Sequence, residues 1–107
     1  MIVRVWHGWT VTGNAEAYER LLKEEIFEGI AARNIPGYRG IRLLRRHAPP
    51  GEVEFVTLMW FDSLEAVKAF AGADYEIAVV PPRARELLAR FDPRSQHYEE
   101  REHLQAP

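Results

Sequence analysis

Apolar residues recur along this chain with two different periods. From residue 2 to residue 11 they are β-branched or aromatic, with Val3, Val5, His7 and Trp9 on one side of an extended chain and Ile2, Arg4, Trp6 and Gly8 on the other. That predicts a first strand with bulk on both faces. Thr12, Gly13 and Asn14 supply a turn and a helix cap, after which Tyr18, Leu21, Leu22, Ile26 and Ile30 fall at three- and four-residue spacing. One long amphipathic helix is expected over residues 15–34. It should stop where Asn34 meets Ile35, Pro36 and Gly37, because a proline disfavours helical conformation in the residue before it.

Residues 38–47 set Ile41, Leu43 and Leu44 among arginines, and residues 53–61 are apolar at nearly every position, with Pro49, Pro50 and Gly51 between them as a hairpin turn. Asp62 or Ser63 is placed to cap the next helix, Glu65 to return a capping-box bond to Asp62, and Ala66, Val67, Ala69 and Phe70 to form its apolar side up to Gly72. A short helix over 74–80, a stop at Pro81 and Pro82, a further helix over 83–91 and a last strand over 94–101 complete the order. Residues 103–107 read as a frayed tail, which leaves one domain over residues 1–102.

The order β, α, β, β, α, β is the split pattern of ferredoxin-like α+β folds, an antiparallel sheet with strand one between strands three and four and the helices on one face. Strand three puts Val56, Leu58 and Trp60 opposite Phe55, Thr57, Met59 and Phe61, so the face away from the helices is apolar too. A chain of 107 residues has only one small core to fill, and 47% of its residues are apolar. The surplus points to a homodimer in which a second copy covers that sheet face.

Charge narrows the partners. Fourteen Lys and Arg against sixteen Asp and Glu, a net −2, offer no field to gather nucleic acid or anionic lipid. The absence of cysteine removes disulfides, thiolate metal sites and thiol nucleophiles. No leader-like or membrane-length apolar run is found, so a cytoplasmic protein without membrane contact is expected. There is no glycine-rich phosphate loop, nucleophile elbow or HExxH stretch, and hence no cofactor is expected. Two strand histidines without a carboxylate at ligand spacing make no metal signal either.

The stretch Thr57-Leu58-Met59-Trp60-Phe61-Asp62-Ser63-Leu64-Glu65-Ala66-Val67-Lys68-Ala69-Phe70 resembles the third strand, acidic cap and second helix of the antibiotic biosynthesis monooxygenase family. The likeness runs from Met1 to about Glu102. It implies a dimeric α+β barrel, and its members include cofactor-independent oxygenases of aromatic polyketides, quinol oxygenases and haem-degrading enzymes. For the haem-degrading branch the resemblance implies three pocket residues that this chain lacks. Trp6 stands at the strand-one asparagine, Phe61 at the strand-three tryptophan and Val79 at the histidine that binds iron, so haem degradation is not expected. A slip of one residue in strand three would make Trp60 the family tryptophan and move it to the opposite face.

The candidate chemistry is modest. Trp6, Trp9, Trp60, Phe55, Phe61 and Tyr75 could line a flat apolar pocket, although core packing is the plainer reading for any one of them. His7 and His97 lie on strands expected to be adjacent, and an imidazole suits removal of a proton from a phenol or enol so that the anion reacts with oxygen. A histidine bonded to a backbone carbonyl or lying at a dimer seam is the plainer alternative. The resemblance places Asp74 and Tyr75 as a polar pair at the pocket mouth, where Tyr75 could bond a ligand oxygen. Asp74 also reads simply as a helix cap, and Arg39, Arg42, Arg45 and Arg46 as a solvated hairpin. The leading expectation is a cofactor-independent monooxygenase of a hydrophobic aromatic molecule, and the alternative is a non-catalytic ligand-binding or structural dimer of the same fold.

Overall fold

Antiparallel pairing is built outward from β1 (Ile2–Val11), whose run of Val, Ile and Trp suits an extended, half-buried chain. The computed structural model describes all 107 residues. It pairs β1 with β3 (Glu52–Phe61) on one side and, on the other, with the short β4 (Arg90–Phe91) and β5 (Gln96–Glu99); β2 (Tyr38–Ala48) forms the outer edge beyond β3. Strand one is therefore central, as the element order predicts. The register Ile2↔Phe61, Arg4↔Met59, Trp6↔Thr57 and Gly8↔Phe55 puts all eight of these residues on the helix-facing side of the sheet. The alternate set, Val3↔Trp60, Val5↔Leu58 and His7↔Val56, faces away.

The helix layer opens with a continuous helical stretch over residues 15–32, and a π-helical segment interrupts it. It runs as α1 (Ala15–Leu21), the π turn Leu22–Ile26 and α2 (Phe27–Ala32). Asn34 then adopts a left-handed conformation, φ 51°, which closes the helix as the Ile-Pro-Gly sequence predicts. α3 (Leu64–Ala71) starts at Ser63, whose hydroxyl accepts from the Ala66 N–H. Asp62 makes no capping box with Glu65, since its carboxylate is held by Arg39. Two apolar clusters pack beneath the layer. Tyr18, Leu21, Leu22, Val53 and Phe55 form one with Ala15 and Ala84, and Met59, Phe61, Val67 and Phe70 form the other with Ile35 and Ala66.

The last third of the chain departs from expectation. Residues 74–80 form a turn and an extended segment rather than a helix, with Ile77 bridged to Arg94. Tertiary partners take the backbone groups that a helix would use: the carbonyls of Tyr75 and Ile77 accept from Arg4, Ala78 N–H donates to Pro93, and Glu76 C=O accepts from Ser95 N–H. α4 (Pro82–Leu87) ends earlier than residue 91 because the Ala89 N–H turns to the Trp9 carbonyl and the chain joins the sheet as β4. Pro93 cannot donate to a ladder, which is consistent with two short strands where one long one is expected. No helix is long and apolar enough to cross a membrane.

Candidate functional site

Between the sheet and the helices lies a partly open cavity of about 60 Å³. The π turn lies in its roof, to which Leu22, Ile26, Phe27 and Ile30 contribute. The sheet supplies Arg4, Trp6, Ile41, Thr57 and Met59, α3 supplies Phe70, and Val79 to Pro81 line one side. Val79 is half exposed, which places it at the mouth. Twelve of the sixteen lining residues are hydrophobic, so the space suits an apolar body with few polar groups.

Trp6 is held in place from two sides. Its indole N–H donates to the Asp92 carbonyl at 2.8 Å, and the ring lies across Gly8, where an added Cβ would come within 2.8 Å of it. Gly8 therefore has a packing reason, the close approach of an aromatic ring.

Three polar side chains in the wall were not singled out by the sequence pattern. Tyr18, 1% exposed, packs edge-on against Phe55 at 4.9 Å, and burial pushes its phenol well above the usual range, so it stays protonated. Ser95 is 2% exposed with an unpartnered hydroxyl. Arg4 is buried with its guanidinium over Phe70, and it donates to Tyr75 O at 2.5 Å, Ile77 O at 3.2 Å and His97 Nε2 at 3.0 Å. Tyr18 sits within the helical apolar stripe and reads as core. Arg4 left a detectable trace, a lone charge on the inward side of β1 between Ile2 and Trp6.

The residues expected to act together do not meet. His7 is on the outward face, where its Nδ1 lies 2.8 Å from Glu54, a buried carboxylate also held by Arg46 and lowered in pKa by both partners, His7 most. His97 pairs with Arg4 on the inward face, so the two imidazoles lie on opposite sides of the sheet. Tyr75 packs edge-on against the His97 ring at 5.1 Å, and neither lines the cavity. Of the expected pocket residues, Trp6 and Val79 are in the wall. Phe55 and Phe61 are fully buried in the two clusters, Trp60 faces outward beneath Arg42, and Asp74 is an exposed partner of Arg94. Trp9 also faces outward, stacked under Arg90 at 3.9 Å.

An arginine can only donate, so His97 must accept at Nε2 and carry its proton on Nδ1, which has no partner. Burial first, then the Arg4 charge, lower its pKa below the usual 6.5, against a smaller opposing pull from Glu76. The unfolded chain therefore binds that proton more readily. The stabilising contribution is complete above about pH 6.5 and is lost as pH falls through the lower folded value. His97→Gln keeps an acceptor for Arg4 but removes the titration. Melting curves between pH 7 and 5.5 should show wild type losing stability by up to about 1.4 kcal/mol per pH unit more than the variant, the one-proton limit. Parallel pH profiles would refute the lowered His97 pKa.

No family model and no curated protein matches the chain. Solved structures do. A candidate antibiotic biosynthesis monooxygenase from Deinococcus radiodurans superposes with a TM-score of 0.67 at 17% identity, over 100% of this chain and 99% of that one. The fold is that of the antibiotic biosynthesis monooxygenases. This monooxygenase-type fold is shared with SnoaB, a cofactor-independent oxygenase from Streptomyces nogalater, with a TM-score of 0.60 at 19% identity over 96% of each chain. It is shared also with MhuD, a haem degrader of Mycobacterium tuberculosis with two haems in its active site, with a TM-score of 0.57 at 23% identity over 98% and 100%. The cavity of the present chain does not fit histidine-ligated haem, because no histidine lines it and Val79 has no donor atom.

Proposed function

We propose that the chain is a cofactor-independent monooxygenase that draws a hydrophobic, aromatic small molecule into the cavity between sheet and helices. The observation that carries this reading is the cavity itself, apolar on most sides, with Trp6, Phe27 and Phe70 as aromatic walls and a few polar groups at fixed places. A ring CH2 flanked by aryl groups, as in an anthrone, loses a proton to give a stabilised anion that reacts with O2. One oxygen atom becomes the product carbonyl and the other leaves as water with the two hydrogens of the CH2, so O2 takes all four electrons from the substrate. No external reductant is needed. The protein's part is to bind the ring system, exclude water from the reacting carbon and offer the neutral Tyr18 phenol as a hydrogen-bond donor.

The working unit of this reading is a homodimer, closed through the outward sheet face that carries Val3, Val5, Val56, Leu58 and Trp60. That no histidine lines the cavity favours a second reading, a dimer that binds ligand without turning it over. Oxygen uptake with anthrone and hydroquinone substrates separates the two. Saturable uptake without added metal or flavin, with one atom of ¹⁸O₂ recovered in the product, supports the monooxygenase. Saturable binding without uptake leaves only the binding protein, and neither sinks both.

A further inference from the structure

Two side chains of formal charge are buried in this molecule, Arg4 at 3% exposure and Glu54 at 6%. Glu54 is matched by His7 and Arg46. Arg4 has no carboxylate partner, although the far more exposed Arg39, Arg45, Arg83, Arg90 and Arg94 each hold one. Its three partners, two backbone carbonyls and the Nε2 of His97, carry no negative charge. A guanidinium has five N–H donors, so Nε–H and one N–H of Nη2 remain without a protein partner. Burial alone pulls the group down to about 10, as expected for a cation that lacks a counter-charge. The fold nonetheless fixes it firmly, by the two carbonyls of the 75–77 segment and by packing on Phe70.

Buried charges are normally paired, and this one lines the cavity together with Ser95 and its unpartnered hydroxyl. We infer that this end of the cavity is an anion site, which takes an aromatic ligand carrying an ionised oxygen, a carboxylate or an enolate or phenolate. The oxygen docks on the free guanidinium edge of Arg4, with the Ser95 hydroxyl as a further donor, while the ring system lies against Trp6, Phe27 and Phe70. The inference rests on reading the cavity as the ligand site and adds the charge of the ligand. It also gives the missing base a physical substitute. A fixed cation favours the ionised form of an enol or phenol, so the proton can leave to water at the mouth without an imidazole in the wall. His97 is then a positioning residue that holds the guanidinium from behind.

The test uses two probes of nearly the same shape, 1-naphthoate and 1-naphthamide, titrated calorimetrically into the wild-type protein at pH 7.5. The carboxylate should bind about ten- to a hundredfold more tightly than the amide, the range of a charged hydrogen bond set against a neutral one. Arg4→Gln should erase that preference, and Arg4→Lys should restore part of it. The Arg4 Nε–H resonance of the wild type gives a second readout that needs no variant to fold, moving downfield with naphthoate and not with naphthamide. Equal affinity for the two probes, a preference that survives Arg4→Gln, or an unmoved resonance on naphthoate binding overturns the anion site and leaves the aromatic cavity standing. If neither probe binds at millimolar concentration, the cavity reading falls and the anion site with it.

Discussion

Phe61→Ala should cost about 3 to 5 kcal/mol, the usual range for emptying a buried aromatic site. Phe61 is fully buried at the end of β3, between Ile2 and Tyr38 in the sheet, with the rings of Tyr38 at 5.7 Å and Phe70 at 5.8 Å. Collapse onto the void is limited, because two of its walls are paired strands that cannot approach without breaking ladder bonds. A domain of this size has about 5 to 15 kcal/mol in total, and each kilocalorie shifts its melting point by about 4 to 8 °C. The variant should therefore melt at least 12 °C lower, or fail to fold at 37 °C. Phe61→Trp should cost about 1 to 3 kcal/mol by overpacking and give no new cavity wall. Thermal and urea melts of the three proteins decide it. A Phe61→Ala melting point within a few degrees of wild type would show that this position is not the core site described above.

Much of the fold is legible in the chain because strands with a period of two are hard to misread. The alternation Phe55, Thr57, Met59, Phe61 against Val56, Leu58, Trp60 assigns both faces of β3, and the structure keeps that assignment. The same pattern could not say which aromatic residues line a cavity. Phe55, Phe61 and Trp6 all point inward, yet only Trp6 reaches the opening, since Gly8 lets its ring lie flat while the other two fill clusters. Period alone reports a face; distance to a void depends on the elements packed above.

The misread segment at residues 74–80 has a related cause. Local pattern suggests a helix there, but helices form when the chain's own N–H groups are the best partners for its carbonyls. Here Arg4, seventy residues away in sequence, takes the carbonyls of Tyr75 and Ile77. The side chain that marks the candidate anion site is thus the one that overrides local propensity. The two histidines failed for a simpler reason. Adjacent strands bring residues close only when the register puts them on the same face, and Arg4, not His7, is the residue opposite His97.

Trp60→Asp is expected to break the assembly. Trp60 is cross-strand from Val3 on the outward face, with Arg42 5.3 Å above its ring, and Val5, Val56 and Leu58 extend the same surface. Leu44 at 48% and Tyr98 at 57% exposure widen it further. In an isolated subunit this position is only partly covered, and an aspartate there would cost little, well under about 1 kcal/mol. Against a partner sheet the same carboxylate sits unpaired in an apolar seam, where burying a charge costs several kilocalories unless it is protonated or the seam opens. The two situations thus differ by far more than experimental error, and the substitution reads the assembly directly. Sedimentation equilibrium at micromolar concentration should give wild type a mass near 25 kDa, twice the 12.4 kDa chain, and Trp60→Asp a mass near the monomer. Because dimerisation stabilises by mass action, the wild-type melting point should also rise with protein concentration while that of the variant stays flat. A wild type that sediments as a monomer, or a Trp60→Asp variant that stays dimeric with an unchanged melting point, would rule out a dimer closed through this face.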